Sequence, residues 1–506
     1  MQLLELSGEL IDAIIDATIP GGIESFALSC RVIHSRAAEK LRRHRALKQR
    51  WKTTRLQSLT ETPNDAMFNL FYALALDPLA ALYITNLDLW DIRALSAGIW
   101  EHDTVDEEAL VLVREMVMGS KYLKDGEDGE RWWDEMLQER ELYKSGTERD
   151  LLYSVVYLLS LLPNLKTLQL SPLWPESIPN DLPENKLWAK VLVEVMLAAN
   201  KTRDGNGGLG KLQTLLPCMR QGYEEKTGMG CIETFMALKT IQELYLISSV
   251  SVGESVMADE SIFLHWRFPD LTSPLRRIEM AYCCMDAEGI SPLLSHTPNL
   301  EIFKYSHETK EGFHEDGWNP GEFVEAVARH CGGTLKELAL TVDDWELDII
   351  QGASSFLSFP NLVSLEIDAL ILRGPPIESG QRRHEDNDPS AAGERPWTEY
   401  DIPCIGTMLP PSIIEVHLNL CSPEVSIPTL KAILKNVHEE RANRLKKLNN
   451  FLIREFNDER MKKLTEEAGV AFTAYRFNGD DSPFWRTLMP KWKREFEVRV
   501  GGIQFS

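Results

Sequence analysis

Cysteine is sparse and unpatterned. There are eight in 506 residues, only Cys283 and Cys284 are adjacent, and no C-x-x-C pair occurs. That spacing suggests neither a zinc site nor a redox motif and points to reduced, buried thiols in the cytoplasm or nucleus. Long uncharged runs are also missing. The longest clean apolar stretch, near 151–162, is too short to cross a bilayer. The first twenty positions hold Glu5, Glu9, Asp12 and Asp16 but no Lys or Arg, so export is not expected. Positive charge is short overall: 54 basic against 77 acidic residues give a net charge of −23. This argues against a whole-chain nucleic-acid role, which needs a cationic surface. Catalytic signatures are absent too. The eleven histidines include no H-E-x-x-H, and no G-x-S-x-G occurs. His314 and His384 each open an acidic triplet, expected to be a loop and not a metal site. Positions 205–211 read G-N-G-G-L-G-K, but Leu212 stands where a magnesium-holding Ser or Thr is required, and a helix-like segment precedes them. A surface turn is expected there, with no cofactor.

What remains is an ordinary globular composition, 43% apolar and 26% charged. Residues 1–50 have their own character. Ser7 can cap a helix, Glu9 lies in its first turn, and Leu10, Ile11, Ile14 and Ile15 follow at helical spacing. Pro20-Gly21-Gly22 breaks that helix. Two further short apolar faces follow, at Ile23, Phe26, Ala27, Cys30 and at Ile33, Ala37, Leu41. Nine Lys or Arg lie between positions 36 and 55, a local reversal of sign that fits a nucleic-acid patch but reads first as a solvated helix face or a surface for an acidic partner. Trp132-Trp133 reads as a core anchor.

Beyond position 66 a second pattern recurs, with apolar residues at i, i+3 and i+5, the strand core of a leucine-rich repeat. The sets begin at Leu79, Leu165, Ile241, Leu275, Leu300, Leu335, Leu362, Ile413 and Phe472. Pro163-Asn164, Pro298-Asn299 and Pro360-Asn361 each immediately precede one, and a fixed φ suits a strand entrance. Helical stripes fall between sets, at 320–331 and 428–437. Gly126–Gly129 and positions 204–210 read as short loops, and 374–400 as a disordered insertion with almost no apolar residue.

The N-terminal segment resembles an F-box: Leu6, Glu9, Leu10 and Ile14 fit its first half, and Ile23, Phe26, Cys30 and Arg31 its second. Ser7 replaces the usual proline, Thr18 an apolar residue, and the tryptophan often found after Cys-Arg is absent. With the repeats, the chain resembles an F-box/leucine-rich-repeat protein. That resemblance implies an α/β fold: a small all-α unit over 1–50, an irregular solenoid of parallel strands and outer helices over 51–480, and a tail over 481–506. It implies the substrate-recognition subunit of an SCF ubiquitin ligase that performs no bond chemistry itself. The eight F-box residues just named would meet the Skp-family adaptor of the cullin complex. Lys166, Gln242, Tyr245, Arg276, Lys336, Glu366 and His417, which point outward from the strands, would meet an unknown protein target. A non-catalytic repeat scaffold with a helical N-terminal cap is the alternative, since a solenoid must cover its open end. Neither reading includes nucleic acid or membrane.

Overall fold

The structure, a computed structural model, describes residues 5–56, 66–90, 105–123, 126–144, 151–172, 174, 187–201, 207–253, 263–313, 317–343, 347–382, 397–398, 401–420, 427–456, 459–475 and 489–501. The chain forms two compact units, residues 1–174 with 180–214, and residues 175–179 with 215–506. Both combine parallel strands with helices, an α/β architecture.

The first unit opens with three helices, α1 (Gly8–Ala17), α2 (Ile23–Ala27) and α3 (Arg31–Trp51). They bury a core of their own: Ile11 and Ile15 from α1, Ile23 and Ala27 from α2, and Ile33, Ala37 and Leu41 from α3. Three short strands follow, β1 (Thr53–Arg55), β2 (Asn86–Asp88) and β3 (Thr167–Gln169), paired in parallel. The register sets Thr54 beside Leu87 and Leu87 beside Leu168. This shows where the sequence reading slipped. Leu79 and Leu82 belong to a 3-10 helix, Pro78–Tyr83, because Asp77 caps it and Pro78 starts it. The triplet in phase with Leu165–Leu168–Leu170 is Ile84–Leu87–Leu89, and Trp51–Thr54–Leu56 precedes it; all six side chains are buried. Gly126–Gly129, expected as a loop, opens the helix Gly126–Lys144. Trp132 and Trp133 on that helix are buried, with Trp132 edge-on to Tyr153 at 4.9 Å.

β4 (Thr214–Leu216) lies at the division between the units. The second unit contains β5 (Thr227–Gly228), β6 (Glu243–Ile247), β7 (Ser249–Ser251), β8 (Arg277–Met285), β9 (Ile302–His307), β10 (Glu337–Val342), β11 (Ser364–Asp368), β12 (Glu415–Asn419), β13 (Asn450–Phe456) and β14 (Ala471–Tyr475). One parallel sheet runs β6-β8-β9-β10-β11-β12-β13-β14, while β5 and β7 pair beside the end of β8. Its register is uniform. Leu244, Ile278, Phe303, Leu338, Leu365, Val416 and Phe451 are successive neighbours across it. Six of these are the middle members of the expected triplets. The seventh belongs to Leu448–Phe451–Ile453, which the sequence reading did not pick out. Phe472 pairs with Ile453 and so holds the third place of its repeat, not the first.

Alternation decides what each face meets. The triplet face is packed by helices such as Pro320–Cys331, whose Phe323 ring lies 4.6 Å from Tyr305. The Asn of the Pro-Asn entrances has a physical role at two sites. Asn361 Nδ2 donates to the Gly333 carbonyl at 2.7 Å, and Asn164 Nδ2 to the Leu82 carbonyl at 2.8 Å, each reaching back to the preceding connection. Residues 374–382 of the expected insertion are described and include a 3-10 turn, Ile377–Ser379; 383–396 and 399–400 lie outside the described residues, as do His314 and His384. Within the segment read as a tail, Lys491–Arg499 is a helix.

Candidate functional site

Among the described residues no cluster of three or more His, Cys, Asp or Glu could hold a metal. Lys211 donates to Asn164 Oδ1 at 2.6 Å, so the lysine of the Gly-rich stretch is committed to a structural contact; positions 205 and 206 lie outside the described residues. Cys283 and Cys284 are fully buried, and burial pushes both thiols up to about 12, which keeps them protonated and poor nucleophiles. Among the described residues no helix is long and apolar enough to cross a membrane.

Two surfaces carry more. The first is the three-helix unit. Ser7 Oγ accepts from the Leu10 N–H at 3.4 Å, capping α1 as its sequence suggests. Cys30 caps α3, its sulfur accepting from the Ile33 N–H at 3.5 Å. Of the eight F-box-like positions, Ile23 is fully buried, and Leu6, Phe26 and Cys30 pack partly against the core. Glu9 and Arg31 are exposed, Ile14 is half-buried, and Leu10 is 53% exposed. Leu28 and Val32, at the α2–α3 turn, are 81% and 52% exposed. The unit therefore leaves these apolar side chains in water while its core is closed. Its basic run is tied down internally. Arg36 grips Asp12 through two bonds of 3.1 and 2.7 Å, Lys40 pairs with Asp16, Arg43 with Asp77, Lys48 with Glu24 and Arg55 with Asp88. Those five of the nine cations already face carboxylates.

The second surface is the sheet face of the second unit that lies opposite the triplets. There the helix Lys491–Arg499 lies on the strands, with Trp492, Phe496 and Val500 packed against Tyr245, Ile247, Ala281, Tyr282 and Ala339. The i, i+4, i+8 spacing puts those three side chains on one helix face. Charged groups surround them. Glu366 accepts the first two helix N–H groups, Lys491 at 2.7 Å and Trp492 at 3.0 Å, where the helix dipole favours an anion. Fully buried Glu279 accepts two bonds from Arg499, at 2.8 and 3.1 Å. Lys493 pairs closely with Asp343 and sits 3.6 Å over the Tyr282 ring. Trp492 Nε1 donates to Thr341 Oγ1 at 3.2 Å.

The seven expected target-binding residues divide accordingly. Tyr245 and Glu366 lie beneath the helix, and His417 is bonded to Glu415, which faces Lys491. Arg276 and Lys336 both flank Glu301 at strand entrances, and Gln242 is exposed just before β6. Lys166 is exposed in the first unit. Sequence reasoning missed Trp492, Phe496 and Arg499, because a single short helix lacks the repetition that made the strands legible; Pro490 followed by the 492–496–500 spacing was the available signal.

Asp368, on the same face, gives a pH-dependent expectation. Burial raises its carboxyl to about 7, with the neighbouring carboxylates Asp343 and Glu366 adding to the rise and hydrogen bonds from the Val342 N–H, at 2.8 Å, and the Asn419 side chain opposing it. The folded chain keeps this proton between about pH 4 and 7 while the unfolded chain releases it, so stability falls across that window and levels off above it. Asp368→Asn keeps an acceptor for Val342 and removes the slope. Its stability relative to wild type rises by about 4 kcal/mol between pH 4 and 8, read from urea midpoints. A constant difference across pH would refute the assignment.

The chain matches no known family model and no curated protein.

Proposed function

We propose that this protein is the substrate-recognition subunit of a cullin-based SCF ubiquitin ligase. Its N-terminal three-helix unit is an F-box-like domain that docks on the Skp-family adaptor, and its parallel-stranded array is an irregular leucine-rich-repeat solenoid that binds a target protein. The observation that carries the reading is the three-helix unit itself: a closed core of its own, with Leu10, Leu28 and Val32 left exposed at and beside F-box-like positions. The chain then works by proximity, holding target lysines near the charged conjugating enzyme and raising their effective concentration, in the cytoplasm or nucleus. The test is coexpression with a Skp-family adaptor followed by size-exclusion chromatography. Coelution in a stoichiometric complex is expected; separate elution at micromolar concentration removes the ligase role.

A second reading has its own support. α3 continues directly into β1, Trp51 is buried at the junction, and His44 Nδ1 lies 2.9 Å from the Tyr83 hydroxyl. The helical unit is thus built onto the first strands, as the cap of a repeat scaffold would be. A protein that never binds the adaptor leaves this reading in place.

A further inference from the structure

The helix Lys491–Arg499 rests on a face that has the character of a binding surface more than of a core. Its apolar contribution is confined to Trp492, Phe496 and Val500; around them lie charged pairs to Glu279, Asp343 and Glu415 and the backbone N–H bonds to Glu366. Glu279 and Lys493 are themselves buried in the contact, and aromatic anchors beside desolvated charge pairs are what set partner choice at interfaces. Nine residues are too few for a helix to stand alone in water, so these contacts hold it. Its far side is open, with Val498 82% exposed. Beside it a cavity of about 380 Å³ remains, lined by Arg277, Lys304, Glu366, His417, Trp492 and Glu495. The backbone below is strained: Tyr282 has φ of +58° at an irregularity in the pairing of β8 with β9. That irregularity turns both Ala281 and Tyr282 toward the helix. A bulky residue in the left-handed region costs free energy and is typical of working surfaces.

We propose that this face is a docking groove for an amphipathic helix of basic-aromatic character, with aromatic anchors four residues apart and flanking Lys or Arg. The chain's own C-terminal helix is its resident internal ligand. A target carrying such a helix binds by displacing the resident one. The charges define the partner: Glu366 receives a helix N-terminus, Glu279 a guanidinium and Asp343 an ammonium, while Lys304 takes one carboxylate, that of Glu495 at 3.5 Å, so a helix without the two cations does not fit. The inference rests on the reading of the array as a target surface and is independent of the adaptor contact.

The test uses the full-length chain and a labelled peptide copying residues 489–501. Tethering gives the resident helix an effective concentration on the order of millimolar, so the peptide competes poorly with it. Trp492→Ala with Phe496→Ala in the full chain vacates the groove. The peptide is then expected to bind this variant at least tenfold more tightly than wild type, by fluorescence anisotropy. A peptide with Lys491→Glu, Lys493→Glu and Arg499→Glu should not bind. Equal binding to both chains, no binding to a folded variant, or equal binding of the charge-reversed peptide overturns the proposal. Hydrogen exchange of the wild type supplies a readout that needs no variant. Amides of Phe496 to Val500 should exchange at least a hundredfold faster than those of Leu338 and Leu340, by local opening. Exchange at the same rate as the strand amides would make the helix part of the fold and overturn the proposal; if the variant fails to fold, this measurement decides alone. Adaptor capture is read on the same samples. Retained capture with no peptide binding removes this inference only, and peptide binding without capture removes the ligase role only.

Discussion

Leu10→Asp with Ile14→Asp is expected to abolish capture of a Skp-family adaptor while leaving the helices folded. The two positions share a face of α1, and neither belongs to the buried set of Ile11 and Ile15 that closes the three-helix core. Two carboxylates placed where apolar contact is required cost several kcal/mol if buried unpaired, enough to weaken a micromolar complex by more than a hundredfold. The cost to the fold is small, since aspartate lowers helix propensity by about half a kcal/mol per site. Ile15→Asp provides the contrast: it puts a charge into the core, so capture and far-UV circular dichroism should fall together. Normal capture by the double variant would move the adaptor contact to another face, with Leu28 and Val32 the next positions to change.

The largest loss of stability is expected at Trp318. It is fully buried, its ring stacked on His307 at 4.3 Å and edge-on to Phe323 at 5.5 Å, and its Nε1 donates to the Met285 carbonyl at 3.0 Å. It joins β8, β9 and the helix Pro320–Cys331 at one point. Trp318→Ala removes that volume from a site fixed on all sides and should cost about 3–5 kcal/mol. For a unit of this size that is a fall in melting temperature of roughly 10 °C, measured by circular dichroism. Trp318→Phe keeps most of the stacking and should cost less than half as much. A loss below 1 kcal/mol for the alanine variant would mean that the site collapses freely, contrary to the packing described.

The strands were legible where one rule, an apolar residue at i, i+3 and i+5, coincides with the pairing register, as at Leu335–Leu338–Leu340 and Leu362–Leu365–Ile367. The rule failed where a stronger local preference overrode it. Pro78 after a capping aspartate makes a 3-10 turn, so Leu79 and Leu82 were assigned to a strand that begins at Asn86. Thr54 escaped because a threonine can fill an apolar strand position without looking apolar. The eight F-box-like residues were readable as a pattern, but which of them face water was not: Ile23 and Leu10 are both aliphatic in sequence, and only packing separates a core residue from an exposed one. The strand face was legible as a row of outward residues. What covers it was not, since Glu279 and Arg499 are 220 positions apart and no local signal links them.

That separation sets an order of events during synthesis. The strands pair with near neighbours in sequence, so the sheet can assemble as the chain emerges. The helix Lys491–Arg499 cannot reach Glu279 until 220 further positions have been made. At roughly 5–20 residues per second, 220 positions take about 10–40 s, far longer than short-range docking requires. Every newly made molecule therefore passes through an interval in which the acidic face, with Tyr245 and Tyr282 on it, is bare. If that face is the docking groove proposed above, a partner met on the ribosome in that interval finds it uncontested, and the same partner met later must compete for it.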